Sequence, residues 1–334
     1  MKKFDVITIG GAVKDITFYT DKGRFFPTPE NLTAQKMLAF EYGAKINVKE
    51  LYLSLGGGAA NTAVSFSLLG LKVASIFKVG ADHLGQEIIA NLKKEKIATE
   101  FIQIDKKQPT GLSVIIAVTK GEREHIVFTN RGANNSLLIT SSQLAKLKAD
   151  WFYISSLSGG NWLKNLKLIF QSAKQNNIKL AWNPGSLQLQ AGKRILAAFL
   201  QQTDILILNK DEAIELVLSG IKLGRKDPRF LNKPVYLLNI LKEWGPKMIV
   251  ITNGKQGAWA YDGKKIHSQK ICKAKVVNTT GVGDAFGSSF LAGVINSGNL
   301  TKALKWGMVN TSSVVTKVGA QSGLLTIKEL KNKL

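Results

Sequence analysis

The chain has 334 residues and is 45% hydrophobic, enough for a sizeable core and too apolar for a disordered polymer. One cysteine excludes a disulfide framework or a cysteine-based zinc cluster, and three separated histidines argue against a histidine metal site. The net charge is +23, from 46 Lys and Arg against 23 Asp and Glu, but the basic residues are scattered and no zinc-finger spacing, RNA-binding aromatic motif or basic arm accompanies them, so no nucleic-acid partner is expected. The charge reads instead as a solvated surface, or as steering of an anionic ligand such as a nucleotide.

No apolar run approaches the roughly 20 residues that a bilayer crossing needs. The apolar stretch after Lys2-Lys3 contains Asp5 and meets Lys14-Asp15 with no cleavage-like segment, which predicts a first strand rather than a signal peptide. The expected location is cytoplasmic.

From the N-terminus, residues 4–9 alternate and are β-rich, then meet Gly10-Gly11. Residues 59–69 are apolar at helical spacing and stop at Gly70. Residues 73–79 predict a strand and 84–96 an amphipathic helix. A short buried strand at 151–155 precedes a helix at 163–175. Further short strands fall at 179–182, 205–208 and 248–252. Helices follow at 284–296, closed by Gly298, and at 301–317. This alternation predicts an α/β fold with a mainly parallel sheet. Two segments break the rhythm, approximately 16–53 and 110–129. The second reads as a hairpin turning at Lys120-Gly121-Glu122. Together they predict a small β lid over the carboxyl edge of the sheet, where ligands of open α/β sheets bind.

The sharpest motif is Asn278-Thr279-Thr280-Gly281-Val282-Gly283-Asp284-Ala285-Phe286. Its glycines precede a helix and let backbone approach a ligand closely. The N–H groups of Gly281, Val282 and Gly283 then form an anion site at a helix N-terminus. Asp284 stands beside that site, placed to take a proton from a hydroxyl attacking a bound phosphoryl group. The plainer alternative is a helix N-cap after a tight turn. Gly56-Gly57-Gly58-Ala59-Ala60-Asn61 leads glycines into a second helix, whose Asn61 offers a donor and an acceptor to a polyhydroxylated substrate, or simply starts the helix. Asp15 is either an acceptor for sugar hydroxyls or a solvated loop acid. Asn209 and Glu212 at a strand end suit a metal-bound water and phosphate oxygens, or a helix cap with an acidic first turn. Thr252-Asn253-Gly254-Lys255-Gln256-Gly257 suits nucleotide phosphates or a hairpin turn. No GxxxxGK[ST] loop, no GxGxxG after the first strand and no protein-kinase HRD or DFG set is present.

The order of these elements resembles the ribokinase-like (PfkB) family of carbohydrate kinases over nearly the whole chain. Lys78-Val79-Gly80-Ala81-Asp82-His83-Leu84-Gly85, Arg131-Gly132-Ala133-Asn134 and Gly319-Ala320-Gln321 add to the likeness. The resemblance implies a single domain over 1–334. It would be a three-layer sandwich, with a mainly parallel central sheet, helices on both faces and a small β lid. It implies transfer of the ATP γ-phosphoryl group to a hydroxymethyl group of a sugar or nucleoside. Asp284 would be the general base, and the amides of Gly281, Val282 and Gly283 the anion hole. Asp15, Gly57, Gly58 and Asn61 would bind the sugar. Asn209, Glu212, Thr252, Gly254 and Gly257 would serve ATP, with Asn310 near the adenine. Glu212 would hold Mg²⁺ through water. Members often pair through their lids, so a homodimer is expected.

Some residues depart from the family pattern. Asn278 stands where the signature often begins with Asp, which weakens binding of a monovalent cation such as K⁺. Ser155-Ser156 stand where ribokinases proper carry a substrate-contacting acid. The segment 30–56 is longer than a minimal lid. Three alternatives stay open: a sugar-phosphate kinase that uses Arg131, a non-catalytic sugar or nucleotide binder, and a nucleic-acid-binding protein of the same fold.

Overall fold

The computed structural model describes residues 3–33, 36–118, 125–224 and 227–334. Its centre is an eight-stranded sheet in the order Ile266–Gln269, Ala258–Tyr261, Met248–Thr252, Ile205–Asn209, Lys179–Trp182, Ala149–Ile154, Phe4–Ile9, Val73–Ile76. Met248–Thr252 and the strands after it in that order run parallel, while the other two form an antiparallel edge.

Successive side chains of these strands enter two different cores. Ile7, Ile9, Phe152, Ile154, Trp182 and Leu206 pack under helices that include Trp162–Gln175, Lys210–Leu218 and Pro234–Glu243. Val6, Tyr153, Ala181, Ile207 and Val250 pack under Gly58–Leu68, His83–Lys94, Val282–Ser297 and Leu300–Val314. Burial on both faces is why the strands read as unbroken apolar runs.

The expected mainly parallel sheet with helices on both faces is present. The expected strand at 73–79 is two pieces. Val73–Ile76 belongs to the main sheet, and Lys78–Gly80 leaves it to pair with Gln103–Asp105. The helices Ser186–Leu200 and Pro234–Glu243 and the edge strands Ala258–Tyr261 and Ile266–Gln269 were not expected from the sequence. Ser186–Leu200 hides because its helical geometry is broken at Gly192.

A second sheet has the order His125–Asn130, Gly111–Val118, Val13–Thr20, Glu50–Gly56. It occupies the two expected lid segments but starts earlier, at Val13. The turn expected at Lys120-Gly121-Glu122 lies outside the described residues. Register gives this sheet two unlike faces. Ile16 aligns with Leu53 and Val114, Phe18 with Leu51 and Ile116, and Phe128 with Val114, so one face is apolar across all four strands. Leu51, Leu53 and Phe128 on that face are 60%, 62% and 60% exposed. On the opposite face Asp15 aligns with Ser54 and Ser113, and all of this group except Ser54 is buried.

Candidate active site

The site lies where the carboxyl ends of the parallel strands meet the polar face of the small sheet. Gly10-Gly11 follow Phe4–Ile9, Ser155-Ser156 follow Ala149–Ile154, and Asn209 and Thr252 end neighbouring strands in register with each other. Two glycine-led helices point into the same region.

The helix Val282–Ser297 begins at Gly281, which takes a left-handed conformation with φ 74°. A Cβ at Gly281 would collide with the Ala320 side chain, so the turn needs both the backbone freedom and the absent side chain. Space around Gly283 is open. The first N–H groups of a helix have no partner within it. Here Val282 N makes only a long contact, 3.5 Å, to Thr279 O. Asp284 lies in this first turn and is half-buried. A carboxylate and a set of main-chain donors therefore share one spot.

The helix Gly58–Leu68 supplies the next layer. Gly57 has φ 93°, and a Cβ there would strike the backbone of Gly11 and Ala12, so the loop can lie flat on the link between Phe4–Ile9 and Val13–Thr20. A Cβ on Gly58 would lie 3.5 Å from Asp284 Oδ1 and 2.8 Å from Ser155 Oγ. Asn61 Nδ2 donates to Asp284 Oδ2 at 2.8 Å, and Asn61 Oδ1 accepts from Gln321 Nε2 at 3.0 Å. At 4% exposure, Asn61 is engaged by protein through both its nitrogen and its oxygen, which ties its amide to Asp284 as well as to the expected acceptor side.

Asp15 comes from the small sheet, is 4% exposed and lies opposite Ser113 in register. Burial pushes its carboxyl up to about 6, helped by the charge of Asp284 and opposed by Ser113, Arg131 and Lys14. Arg131 is half-buried, and its guanidinium feels Asp15. Burial likewise pushes Glu212 up to about 7, with Glu215, Asp211 and Asp284 adding repulsion. Asp284 itself is raised by burial, against which the Asn61 hydrogen bond acts. Asp284 thus couples electrostatically to Asp15 on one side and to Glu212 on the other.

Asn209 and Glu212 form a capping box: Asn209 Oδ1 accepts from Glu212 N and Glu212 Oε2 from Asn209 N, both at 2.8 Å. The arrangement leaves the second Glu212 oxygen outside the box. Thr252 sits beside Asn209, while Gly254 and Gly257 lie in a turn closed by Asn253 N donating to Gly257 O at 2.8 Å. Asn310 is a correction. Its side chain is fully buried, with Nδ2 on Ser289 Oγ at 2.6 Å and Oδ1 accepting from Leu325 N at 2.9 Å, so it has no face to offer adenine. Asn278 is also braced inside the protein. Its Nδ2 donates to Tyr19 Oη at 3.1 Å and its Oδ1 accepts from Thr280 N at 2.8 Å, so both ends of the amide brace the loop. Among the described residues no cluster of three or more His, Cys, Asp or Glu could hold a metal ion.

Sequence reasoning missed Tyr19, Asn91 and the His125 contact, in which Nδ1 lies 3.0 Å from Thr279 Oγ1 and joins the small sheet to the signature turn. Gln321 stood in a quoted motif without a role. These are long-range pairings, for which a single sequence carries no signal.

A family model described as pfkB family carbohydrate kinase matches residues 31–327. The chain belongs to this family. A Haemophilus influenzae protein named ribokinase is 26% identical over 290 residues, covering 86% of this chain and 89% of that one. A Thermoanaerobacterium thermosaccharolyticum protein named ATP-dependent 6-phosphofructokinase is 22% identical, covering 99% and 94%. The solved structure of Arabidopsis thaliana ribokinase complexed with ribose and ATP superposes with a TM-score of 0.78 at 18% identity, covering 99% of this chain and 98% of that one. The fold is therefore the ribokinase-like three-layer α/β sandwich, and as a PfkB member the protein is a sugar or nucleoside kinase. Among the described residues no helix is long and apolar enough to cross a membrane.

Asp15 generates a prediction that separates stability from function. A carboxyl whose pKa is raised by folding favours its protonated form in the native state. Its stabilising contribution is present below the ordinary value near 3.8 and is lost as pH rises through about 6. Asp15→Asn should therefore unfold at a higher temperature than wild type at pH 7, with the gap closing below pH 4. Calorimetric melting across that range checks it, and equal melting at pH 7 contradicts it.

Proposed function

We propose that this protein, over the whole of 1–334 as one domain, uses ATP to phosphorylate a hydroxymethyl group of a sugar or nucleoside, with Asp284 as general base. The observation that carries this reading is the position of Asp284, in the first turn beside the 281–283 amides and electrostatically coupled to both Asp15 and Glu212. Asp15, with the open backbone of Gly57 and Gly58, serves the acceptor side. Asn209, Glu212, Thr252, Gly254 and Gly257 serve the nucleotide side.

The acceptor hydroxyl lies against Asp284, which takes its proton as the oxygen bonds to the γ-phosphorus and the bond to the β–γ bridging oxygen breaks, leaving ADP. The amides of Gly281, Val282 and Gly283 hold the charge that gathers on the moving phosphoryl oxygens. Catalysis is mostly positioning and electrostatics. The residues present fit Mg²⁺. Glu212 is a half-buried carboxylate crowded by other acids, which a nearby cation would relieve, and it would hold the ion through water. When bound, Mg²⁺ supplies neutralisation of phosphate charge. No K⁺ ligand is proposed at Asn278.

The four-stranded sheet is the lid, and its apolar outer face is the surface through which two copies of the chain pair. A continuous apolar face of this kind is uncommon on a free monomer. Leu53→Asp together with Phe128→Asp should convert the dimer to a monomer by analytical ultracentrifugation. A wild type that sediments as a monomer at micromolar concentration contradicts the pairing.

One observation favours a second reading, a sugar-phosphate acceptor. The half-buried Arg131 beside Asp15 makes no ion pair among the described residues, and an acceptor phosphate would use that cation. The relative named ATP-dependent 6-phosphofructokinase fits this reading. A panel of ribose, fructose, adenosine and fructose 6-phosphate, read as ADP formed per acceptor added, separates the two. Preference for the phosphosugar that is lost in Arg131→Met selects the second.

Asp284→Asn should lower kcat by about 10²–10⁴-fold with the melting temperature maintained. In wild type, kcat should rise with pH through a value above the ordinary carboxylate range, because Asp284 acts when deprotonated and burial raises its pKa. An unchanged kcat in the variant removes the general-base role.

A further inference from the structure

Behind Asn61 the side-chain hydrogen bonds continue. Gln321 Nε2 donates to Asn61 Oδ1 at 3.0 Å, and Gln321 Oε1 accepts from Asn91 Nδ2 at 3.1 Å. The relay Asn91–Gln321–Asn61–Asp284 joins the helix His83–Lys94, the loop after Leu300–Val314, the helix Gly58–Leu68 and the signature helix. An amide presents a donor on one side and an acceptor on the other, so the orientation of each member dictates the next. With Asn91 donating, Gln321 must donate onward, and Asn61 then turns its N–H toward the carboxylate. Turned over, Asn61 would aim its carbonyl oxygen at Asp284, and like partial charges would oppose ionisation.

The loop carrying Gln321 touches the site a second time. The side chain of Ala320 occupies the space beside Gly281 that any Cβ there would need. Adjacent residues thus support the donor turn and the carboxylate of the same site.

We propose that Gln321, backed by Asn91, is a positioning residue for phosphoryl transfer: it locks the Asn61 amide in the one orientation that donates to Asp284 and so keeps that carboxylate aimed and charged. This rests on the general-base reading of Asp284. Both polar ends of Gln321 are taken by protein, which separates it from a substrate contact. The titratable groups that face Asp284 are Asp15 from the small sheet, Glu212 from the helix Lys210–Leu218 and Tyr153 from the central sheet, with Arg131 and Lys14 beyond Asp15. Changing the relay alters none of them.

The test uses the full chain labelled with ¹³C-aspartate, in which the Asp284 carboxyl signal is identified by its loss in Asp284→Asn. Gln321→Met is uncharged and close in volume, so any change in Asp284 titration comes from lost orientation and not from added charge. The Asp284 pKa should rise by about one pH unit, because the donor it loses favours the charged form. Asn91→Leu should move it in the same direction by less, and it carries the test if Gln321→Met fails to fold. The acid limb of the kcat–pH profile should move with the NMR titration. Superimposable Asp284 titrations in wild type and variants overturn the proposal. If the titration moves but Asp284→Asn retains turnover, the relay stands and the general-base reading falls instead.

Discussion

The site is organised by one hydrogen bond, from Asn61 Nδ2 to Asp284 Oδ2, which joins residues 223 positions apart in the chain. Each partner sits in the first turn of a helix entered through glycines, and each helix packs on the same face of the central sheet. The bond therefore fixes the distance between two helix N-termini, both carrying the positive end of a helix dipole; at the first, Ala59 N is already taken by Gly11 O at 3.0 Å, so the donors left for a ligand are those of the 281–283 turn. With a carboxylate at one and an amide at the other, they become one concave spot with a defined polarity. The small residues around it serve that closeness. Gly58 leaves room for both Ser155 and Asp284, and Ser288 in the signature helix hydrogen-bonds Ser65 in the other at 2.7 Å.

The small sheet completes the site from the opposite side, and its two faces follow from the period of two in a strand. Asp15 can point inward only because its neighbours Lys14 and Ile16 point the other way. Lys14 then meets Glu87 of the helix His83–Lys94 at 2.6 Å, and Asp82 at the start of that helix accepts from Thr110 N at 2.7 Å at the root of the sheet. The helix that carries Asn91 is thus fastened to the lid at the roots of two of its four strands. One rigid element is shared between the lid and the carboxylate relay.

Much of this was legible beforehand for identifiable reasons. Stretches such as Met248–Thr252 announce a buried parallel strand by composition, and the glycines before Asp284 announce a donor turn by chemistry. The lid was legible as a break in rhythm. What stayed hidden depends on distance in sequence. Asn61 has the same letters whether or not it faces Asp284, and only the arrival of Gln321 from the far end of the chain decides it. Asn310, assigned to the nucleotide by family likeness, is instead held by Ser289 and Leu325 inside the core. The capping box at Asn209 and Glu212 shows that the two readings of a motif need not compete: one Glu212 oxygen caps the helix, and the other is not used by the box.

Ala320 rests where Gly281 has nothing. A side chain at 281 would meet both the Cβ and the Cα of Ala320, and neither stretch is free to move aside, since one starts a helix and the other feeds Gln321 to Asn61. The two sites are thereby bound in descent. A side chain could enter at 281 only after the backbone at 320 had moved away, so a change at the turn would have to wait for a change in the loop.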